Sequence, residues 1–266
     1  MDCEKKLYAI REVSEITGVK PVTLRAWQRR YNLIQPIRTS KGHRLYSDED
    51  IALIQAVQMW LSKGVSIGKV KSLIERQVSS DEMPTDEATA LDEVDAVIAA
   101  LSSLHVTKTE SIIHQVVKEY PLDTVIRQFI QPTTVSLSAV KKALRVSQLS
   151  LFNGLLTSKL ESVVEAENKA SQLGKCLLIN LGSRDLQSRV WSAELSEQGW
   201  NMTILDDIEE VSGLGSYPLA EAYKQIALFS VRPLTSQQLK GLVGFREQCE
   251  LPIVYSELLQ QTEGGV

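Results

Sequence analysis

The sequence has few of the residues that would support an enzyme, a metal site or a disulfide scaffold. Three widely spaced cysteines in 266 residues exclude a disulfide framework and a paired-cysteine metal site. No Ser-His-Asp set, phosphate-binding glycine loop or paired carboxylate motif stands out, so we do not expect an enzyme. Residues 1–6 contain no apolar signal core, and no apolar run is long enough to span a bilayer. A cytoplasmic protein without a membrane partner is therefore the simplest expectation.

The net charge of −4 argues against DNA binding until its distribution is considered. Residues 1–77 contain 14 Lys and Arg against 8 Asp and Glu, a balance of +6. The remaining residues contain 15 against 25, a balance of −10. A basic head on an acidic body is the distribution expected when one domain contacts phosphates. The length allows two or three small domains, and 43 % hydrophobic residues are enough for packed cores.

The first part of the chain predicts two short helices joined by a turn. The first covers residues 10–17, with Gly18 as its C-cap, and the second covers residues 21–30, with Pro21 in its first turn. The apolar side of the second helix holds Leu24, Trp27 and Tyr31, and the other side holds Arg25 and Arg29 with the small Val22 and Ala26. A helix buried on one face and offering guanidinium groups on the other fits a recognition helix in a major groove.

Residues 38–46 predict a wing, which is two short strands around a turn at residues 40–42. Ser47 then caps a helix with an acidic first turn, and Ser66 caps a last short helix. We expect the helix to read or flank bases and the wing to sit on the phosphate backbone. The candidate DNA-binding residues are Thr23, Arg25, Gln28, Arg29, Arg38, Lys41, His43, Arg44 and Tyr46.

Two motifs in this head, Thr23–Tyr31 (TLRAWQRRY) and Gly42–Ser47 (GHRLYS), resemble the MerR family of bacterial regulators. They are most similar to the subgroup with an Ala-Trp pair in the recognition helix and a Gly-His-Arg wing. That subgroup includes the cobalamin-dependent, light-sensing repressors of the CarH type and the MlrA-like regulators of curli and biofilm genes. The resemblance covers about the first quarter of the chain and implies a DNA-binding transcription regulator, with a homodimer on DNA and RNA polymerase as a possible partner.

The rest of the chain predicts a multi-domain α and α/β protein. The winged helix-turn-helix at 1–77 is followed by a polar linker at 78–87 and by a four-helix bundle at 88–170. Alternating strand and helix signals at 174–266 indicate an open parallel α/β domain, Rossmann-like and, by the resemblance, cobalamin-binding-like. We interpret this bundle most simply as a helical spacer or a dimerisation unit.

The resemblance also implies residues that would hold cobalamin, and these are missing. The motif Asp/Glu-x-His-x-x-Gly after the first strand of the α/β domain aligns with Arg184 at the histidine and Gln187 at the glycine, and no histidine follows His114. Arginine stays protonated and cannot ligate cobalt. The Glu-His pair that covers the other corrin face aligns with Leu151 and Phe152. We therefore expect no cofactor and an MlrA-like regulator with a degenerate cobalamin-binding-like domain, its pocket filled by these four larger side chains.

Two alternatives remain open. The chain is either a DNA-binding regulator, for which the resemblance to the MlrA-like branch implies activation, or a small-molecule or redox sensor or adaptor that uses the α/β domain. Arg184 and Asp185 lie where open sheets bind ligands, so a small anionic effector there competes with a surface ion pair. Cys249, near the basic Arg246, leaves redox sensing open, whereas Cys176 in an apolar strand is expected to be an inert buried thiol.

Overall fold

The structure of the protein is a computed structural model that describes residues 6–76 and 90–263. The predicted linker, residues 78–87, lies outside the described residues. The chain divides into two compact units, residues 1–152 and residues 153–266. We retain the finer division into head, bundle and α/β domain as a proposal. No helix in the described ranges combines the length and the apolar character that crossing a membrane requires.

The head consists of four helices and a small antiparallel sheet with strand order β1-β3-β2. The helices are α1 (Ile10–Thr17), α2 (Pro21–Ala26), α3 (Asp48–Ser62) and α4 (Ile67–Glu75), and the strands are β1 (Tyr8–Ala9), β2 (Ile37–Arg38) and β3 (Arg44–Tyr46). Gly18 ends α1 with a φ of 72°, a left-handed conformation in which a side chain would be strained. Ser47 caps α3 by accepting a hydrogen bond from the amide of Asp50 at 3.2 Å.

The second helix of the head differs from its prediction in two ways. After α2, residues Trp27–Tyr31 form a π-helical turn that ends at Asn32, which has a φ of 50°. The α-helix therefore stops four residues earlier than the predicted 21–30. Ala26 was expected on the exposed side but is 3 % exposed, because the core of the head covers more of this helix than one stripe.

The predicted four-helix segment is present. It comprises α5 (Glu93–Ser102), α6 (Val106–Glu119), a composite helix and α9 (Lys142–Asn168). The composite helix is α7 (Leu122–Val125), a π-helical turn (Ile126–Ile130) and α8 (Gln131–Ser138). Pro121 separates α6 from the composite helix. The apolar core includes Phe129 of the composite helix and Phe152 of α9, whose rings meet edge to face at 5.9 Å.

The C-terminal unit contains a four-stranded parallel sheet with strand order β5-β4-β6-β7. The strands are β4 (Gly174–Asn180), β5 (Trp200–Leu205), β6 (Gln225–Phe229) and β7 (Ile253–Tyr255). They alternate with α10 (Leu186–Glu197), a 3-10 turn (Ser212–Ser216), α11 (Leu219–Ala222), α12 (Ser236–Gln248) and a last helix, α13 (Glu257–Glu263). The apolar faces of β4 and β6 pack on Leu242 and Phe245 of α12. This confirms the predicted multi-domain α and α/β fold.

Candidate nucleic-acid interface

Five of the basic or polar side chains predicted to bind DNA are exposed on the head. Arg25 lies on α2, Arg29 on the π-helical turn, and Arg38, Lys41 and His43 on the wing. Among the described residues, no ion pair is found for any of these five. The sheet and the helix thus present cationic groups that are open to an anionic partner.

The wing is shaped by its backbone and joined to the recognition helix. The amide of Thr39 donates to the carbonyl of His43 at 2.9 Å, and Gly42, with a φ of 80°, makes the turn between the strands. Arg44 Nε donates to Gln28 Oε1 at 2.7 Å. Gln28 and Arg44 are both half-buried, so this bond holds the wing against the helix that precedes it.

Two of the predicted DNA-binding side chains lie inside the head. Thr23 is 3 % exposed and Tyr46 is 0 % exposed. Burial raises the pKa of Tyr46, and its hydroxyl has no hydrogen-bond partner among the described residues. These positions favour a packing role for Thr23 and Tyr46, and they leave Arg25, Arg29 and the wing as the groups able to reach a duplex.

The end of the recognition helix is bound by a residue that the sequence analysis missed. Trp27 is fully buried, as predicted, and its Nε1 donates to the backbone carbonyl of Glu119 at 2.7 Å. The carboxylate of Glu119, itself 0 % exposed, accepts hydrogen bonds from Arg30 and from the hydroxyl of Tyr31. The sequence carried one signal for the burial of Glu119. This glutamate lies seven residues after Ile112 and three after Val116, on the apolar stripe of α6.

A second polar cluster lies at the carboxyl ends of β4 and β5 in the other unit. Arg189 is 4 % exposed on its side chain; its guanidinium forms a two-pronged contact with Asp206 and donates to Glu161 at 2.8 Å. Arg184 donates to the same glutamate at 2.6 and 2.8 Å. The fully buried Asn180 donates to Asp206 at 2.9 Å. The hydrogen bonds from the arginines lower the pKa of both carboxylates.

This cluster differs from the expected filling of the pocket. Of the four side chains named for that role, Arg184 takes part, but Gln187 is exposed. Phe152 packs against Phe129 in the first unit, and Leu151 is half-buried. The missed members, Glu161, Arg189 and Asp206, carry charges that a hydrophobic pattern does not reveal.

The structure gives little support to the effector site and the redox site considered from the sequence. Arg184 binds Glu161 rather than Asp185, and Asp185 caps α10 by accepting from the amide of Ser188 at 2.9 Å. Cys176 is buried, and burial raises its pKa to about 11, so the unreactive thiol form dominates at neutral pH. Cys249 lines a cavity of about 150 Å³ with Tyr217 and Phe245. This cavity adjoins the C-terminus of α12, away from the strand ends where open sheets bind ligands.

The fold and the exposed basic surface define a DNA-binding regulator of the winged helix-turn-helix class. Residues 8–77 match the model of the "MerR HTH family regulatory protein". The HTH-type transcriptional regulator MlrA of Escherichia coli K12 is 30 % identical over 201 residues, which is 75 % of this chain and 79 % of that protein. The chain belongs to the MerR family of transcriptional regulators, in its MlrA-like branch.

Two repressors of Myxococcus xanthus extend the comparison. The HTH-type transcriptional repressor CarH is 34 % identical over 70 residues, 26 % of this chain and 23 % of its own length. The HTH-type transcriptional repressor CarA is 23 % identical over 256 residues, 94 % of this chain and 86 % of its own length. The likeness to CarH is thus restricted to a short segment, whereas that to CarA runs along nearly the whole chain.

Proposed function

We propose that this MerR-family regulator binds a specific duplex through its head, activates transcription and works without cobalamin. The observation that carries the proposal is a set of exposed basic side chains on α2, its π-helical turn and the wing (Arg25, Arg29, Arg38, Lys41 and His43), for which no ion pair is found among the described residues. We assign Arg25 and Arg29 to base edges, and their exposure on α2 and its π-helical turn supports this assignment. We assign Arg38, Lys41 and His43, which are exposed on the wing, to phosphates, while Gln28 and Arg44 hold the wing in position.

Independence from cobalamin is supported by the chemistry of the residues present. A cobalt ligand would be expected directly after β4, where this chain has Arg184. Its guanidinium stays protonated and is bound to Glu161, so it offers no lone pair to a metal. Arg189 and Asp206 place further fixed charges beside it. These residues do not fit the cofactor that the resemblance implies.

The similarity to MlrA and the resemblance stated from the sequence support activation of biofilm- or curli-type genes. Since a two-fold operator matches a two-fold protein, we propose a homodimer on DNA, with RNA polymerase as its further partner. The body then serves as a protein-docking or dimerisation unit, without catalysis of its own.

The test of DNA recognition begins with selection of duplexes from a random pool by the full-length protein. A specific regulator enriches one sequence, and its affinity for that duplex falls steeply as salt rises because phosphate contacts release counterions. A scrambled duplex of the same length and composition is the control. Failure to enrich any sequence, or equal affinity for both duplexes, contradicts specific recognition.

The test of cobalamin independence is a titration of the protein with adenosylcobalamin, followed by its visible spectrum and by duplex affinity in light and in darkness. We expect neither the spectrum of the vitamin nor the affinity to change. Stoichiometric binding, with a spectrum that shows a histidine or other base on cobalt, would contradict the proposal and show that the protein binds cobalamin as the cobalamin-sensing branch does.

A further inference from the structure

The carboxylate of Glu119 is a buried charge whose donors come from the recognition helix. It lies at the last residue of α6 and is 0 % exposed. Arg30 and Tyr31, which are 89 and 88 positions away in the sequence, donate to its two oxygens. Gln115, on the same helix, approaches one of them at 3.4 Å. Because a buried carboxylate is costly without such partners, these bonds tie the last turn of the recognition helix to α6.

The next residue extends the same junction to a second helix of the head. The hydroxyl of Tyr120 accepts a hydrogen bond from the amide of Ile67, the first residue of α4, at 3.4 Å. The same hydroxyl donates to Glu93 at 3.3 Å. The last residue of α6 and the residue that follows it thus contact the end of the recognition helix and the beginning of α4.

The contacts fall on one side of the recognition helix and leave the other side available. Trp27, Arg30 and Tyr31 are turned toward Glu119, whereas Arg25 and Arg29 are exposed. Arg30 is engaged with a carboxylate and is therefore withheld from phosphate. The π-helical turn places three donors, the indole of Trp27, the guanidinium of Arg30 and the phenol of Tyr31, on this one acceptor residue.

We propose that Glu119 is a positioning residue for base recognition: the bundle, and not the head alone, sets the angle at which Arg25 and Arg29 are presented to the duplex. The inference rests on the proposed assignment of α2 and its π-helical turn as the recognition helix. Base-edge contacts demand a fixed angle, whereas phosphate contacts tolerate small rotations. Loosening Glu119 therefore reduces specific binding more than it reduces non-specific binding.

The experiment uses the full-length protein and the duplex that the wild type selects from a random pool. Glu119→Gln retains the shape of the side chain and removes its charge. We expect about a tenfold loss of affinity for the selected duplex, the size associated with weakening a charged hydrogen bond. The affinity for a scrambled duplex and the dependence of binding on salt should remain close to the wild type, because the phosphate contacts are retained.

Asp123→Asn is the matched control. Asp123 lies four residues after Glu119, on α7, and its ion pair with Arg127 is exposed, so the change removes an acid that does not contact the recognition helix. It should bind both duplexes like the wild type. Thermal melting is recorded for every variant. If Glu119→Gln is not folded, Tyr31→Phe, which removes only one donor to the carboxylate, replaces it and must show the same selective loss.

The outcomes separate this inference from the proposed function. If the wild type selects no duplex, DNA recognition itself is wrong. If the wild type selects a duplex and the folded variant binds it normally, or loses affinity equally for both duplexes, Glu119 does not position the recognition helix.

Discussion

Arginine occupies two opposite environments in this molecule. In the head, Arg25, Arg29 and Arg38 are exposed, and no acidic partner is found for them in residues 6–76 and 90–263. At the ends of β4 and β5, Arg189 is enclosed and bound by Asp206 and Glu161. The guanidinium is charged in both places, so its role is decided by its neighbours. These three arginines of the head remain available for an anionic partner, whereas Arg189 is held by carboxylates at the ends of the strands.

The comparison requires that the head holds its shape, and the largest effect is expected from Trp27→Ala. Removal of this fully buried ring should cost about 3–5 kcal/mol of unfolding free energy, as for other buried aromatic residues. Urea denaturation of the full-length protein measures this loss. Trp27→Phe keeps one aromatic ring but loses part of the buried volume and the bond to the Glu119 carbonyl, so it should cost less than Trp27→Ala, about 2 kcal/mol. A normal denaturation curve for Trp27→Ala, with DNA affinity alone reduced, would show that Trp27 contacts the duplex.

The ion pairs of the enclosed Arg189 are tested by Asp206→Asn. This change leaves the buried Arg189 with one carboxylate instead of two, so we expect a loss of about 3 kcal/mol, the lower end for breaking a buried ion pair. Denaturant unfolding of the C-terminal unit is the measurement. Asp207→Asn, at the exposed neighbouring residue, is the control and should change stability little. Equal stability of the two variants would mean that the cluster is only a surface arrangement.

The same carboxylates predict a direction of pH dependence. Hydrogen bonds from Arg189 and Arg184 lower the pKa of Asp206 and of Glu161 in the folded state. A lowered pKa gives stability that is present above the unfolded value of about 4 and is lost as pH falls through the folded value. The wild type should therefore lose stability on acidification below about pH 4, and Asp206→Asn should lose less. A steeper acid loss in the variant contradicts this assignment.

The exposed arginines of the head are tested by Arg25→Ala. If Arg25 contacts a base, the change should cost about 1–3 kcal/mol of binding to the selected duplex and relax the preference at one position. If Arg38 contacts a phosphate, as proposed, Arg38→Ala should weaken binding to all duplexes similarly and reduce the salt dependence. Arg127→Ala, on the acidic body, serves as the control. If Arg25→Ala binds the selected duplex as the wild type does, Arg25 does not contact a base.

The smallest effect is expected from Tyr46→Phe. The hydroxyl of Tyr46 is buried and has no hydrogen-bond partner among the described residues, so its removal leaves no new unsatisfied group. Stability and duplex affinity should both remain within about 0.5 kcal/mol of the wild type. A clear loss of affinity with normal stability would restore Tyr46 as a DNA contact.

Local sequence signals were sufficient for most of the fold. Gly18, Ser47 and Pro121 mark helix ends whose causes are confined to a few residues, and the predicted and observed ends of α1 coincide. The two-residue strand β1 was missed because Tyr8 and Ala9 are too few for a period of two to be seen. Its pairing with β3 lies 36 to 38 positions away in the sequence and depends on the completed head.

The candidate site was less predictable than the fold. The exposed arginines follow from the helical period, but the burial of Thr23 and Tyr46 depends on how α2 and the wing pack. Glu119 and Arg189 were missed for the same physical reason. Each is a charge in a buried position, and its partners come from segments distant in the sequence, which no local pattern identifies.

The central place of β4 in its sheet has a consequence while the chain is being made. β4 is the first of the four strands to leave the ribosome, and its two neighbours follow only with β5 and β6. At about 5–20 residues per second, the interval from the end of β4 to the end of β6 lasts on the order of several seconds. Both edges of this apolar strand lack a partner from its own sheet until β5 has been made, and one edge still lacks a partner until β6 follows. An unpaired strand edge is the condition that invites pairing with another chain, so the nascent C-terminal unit is exposed to such pairing until β6 is complete.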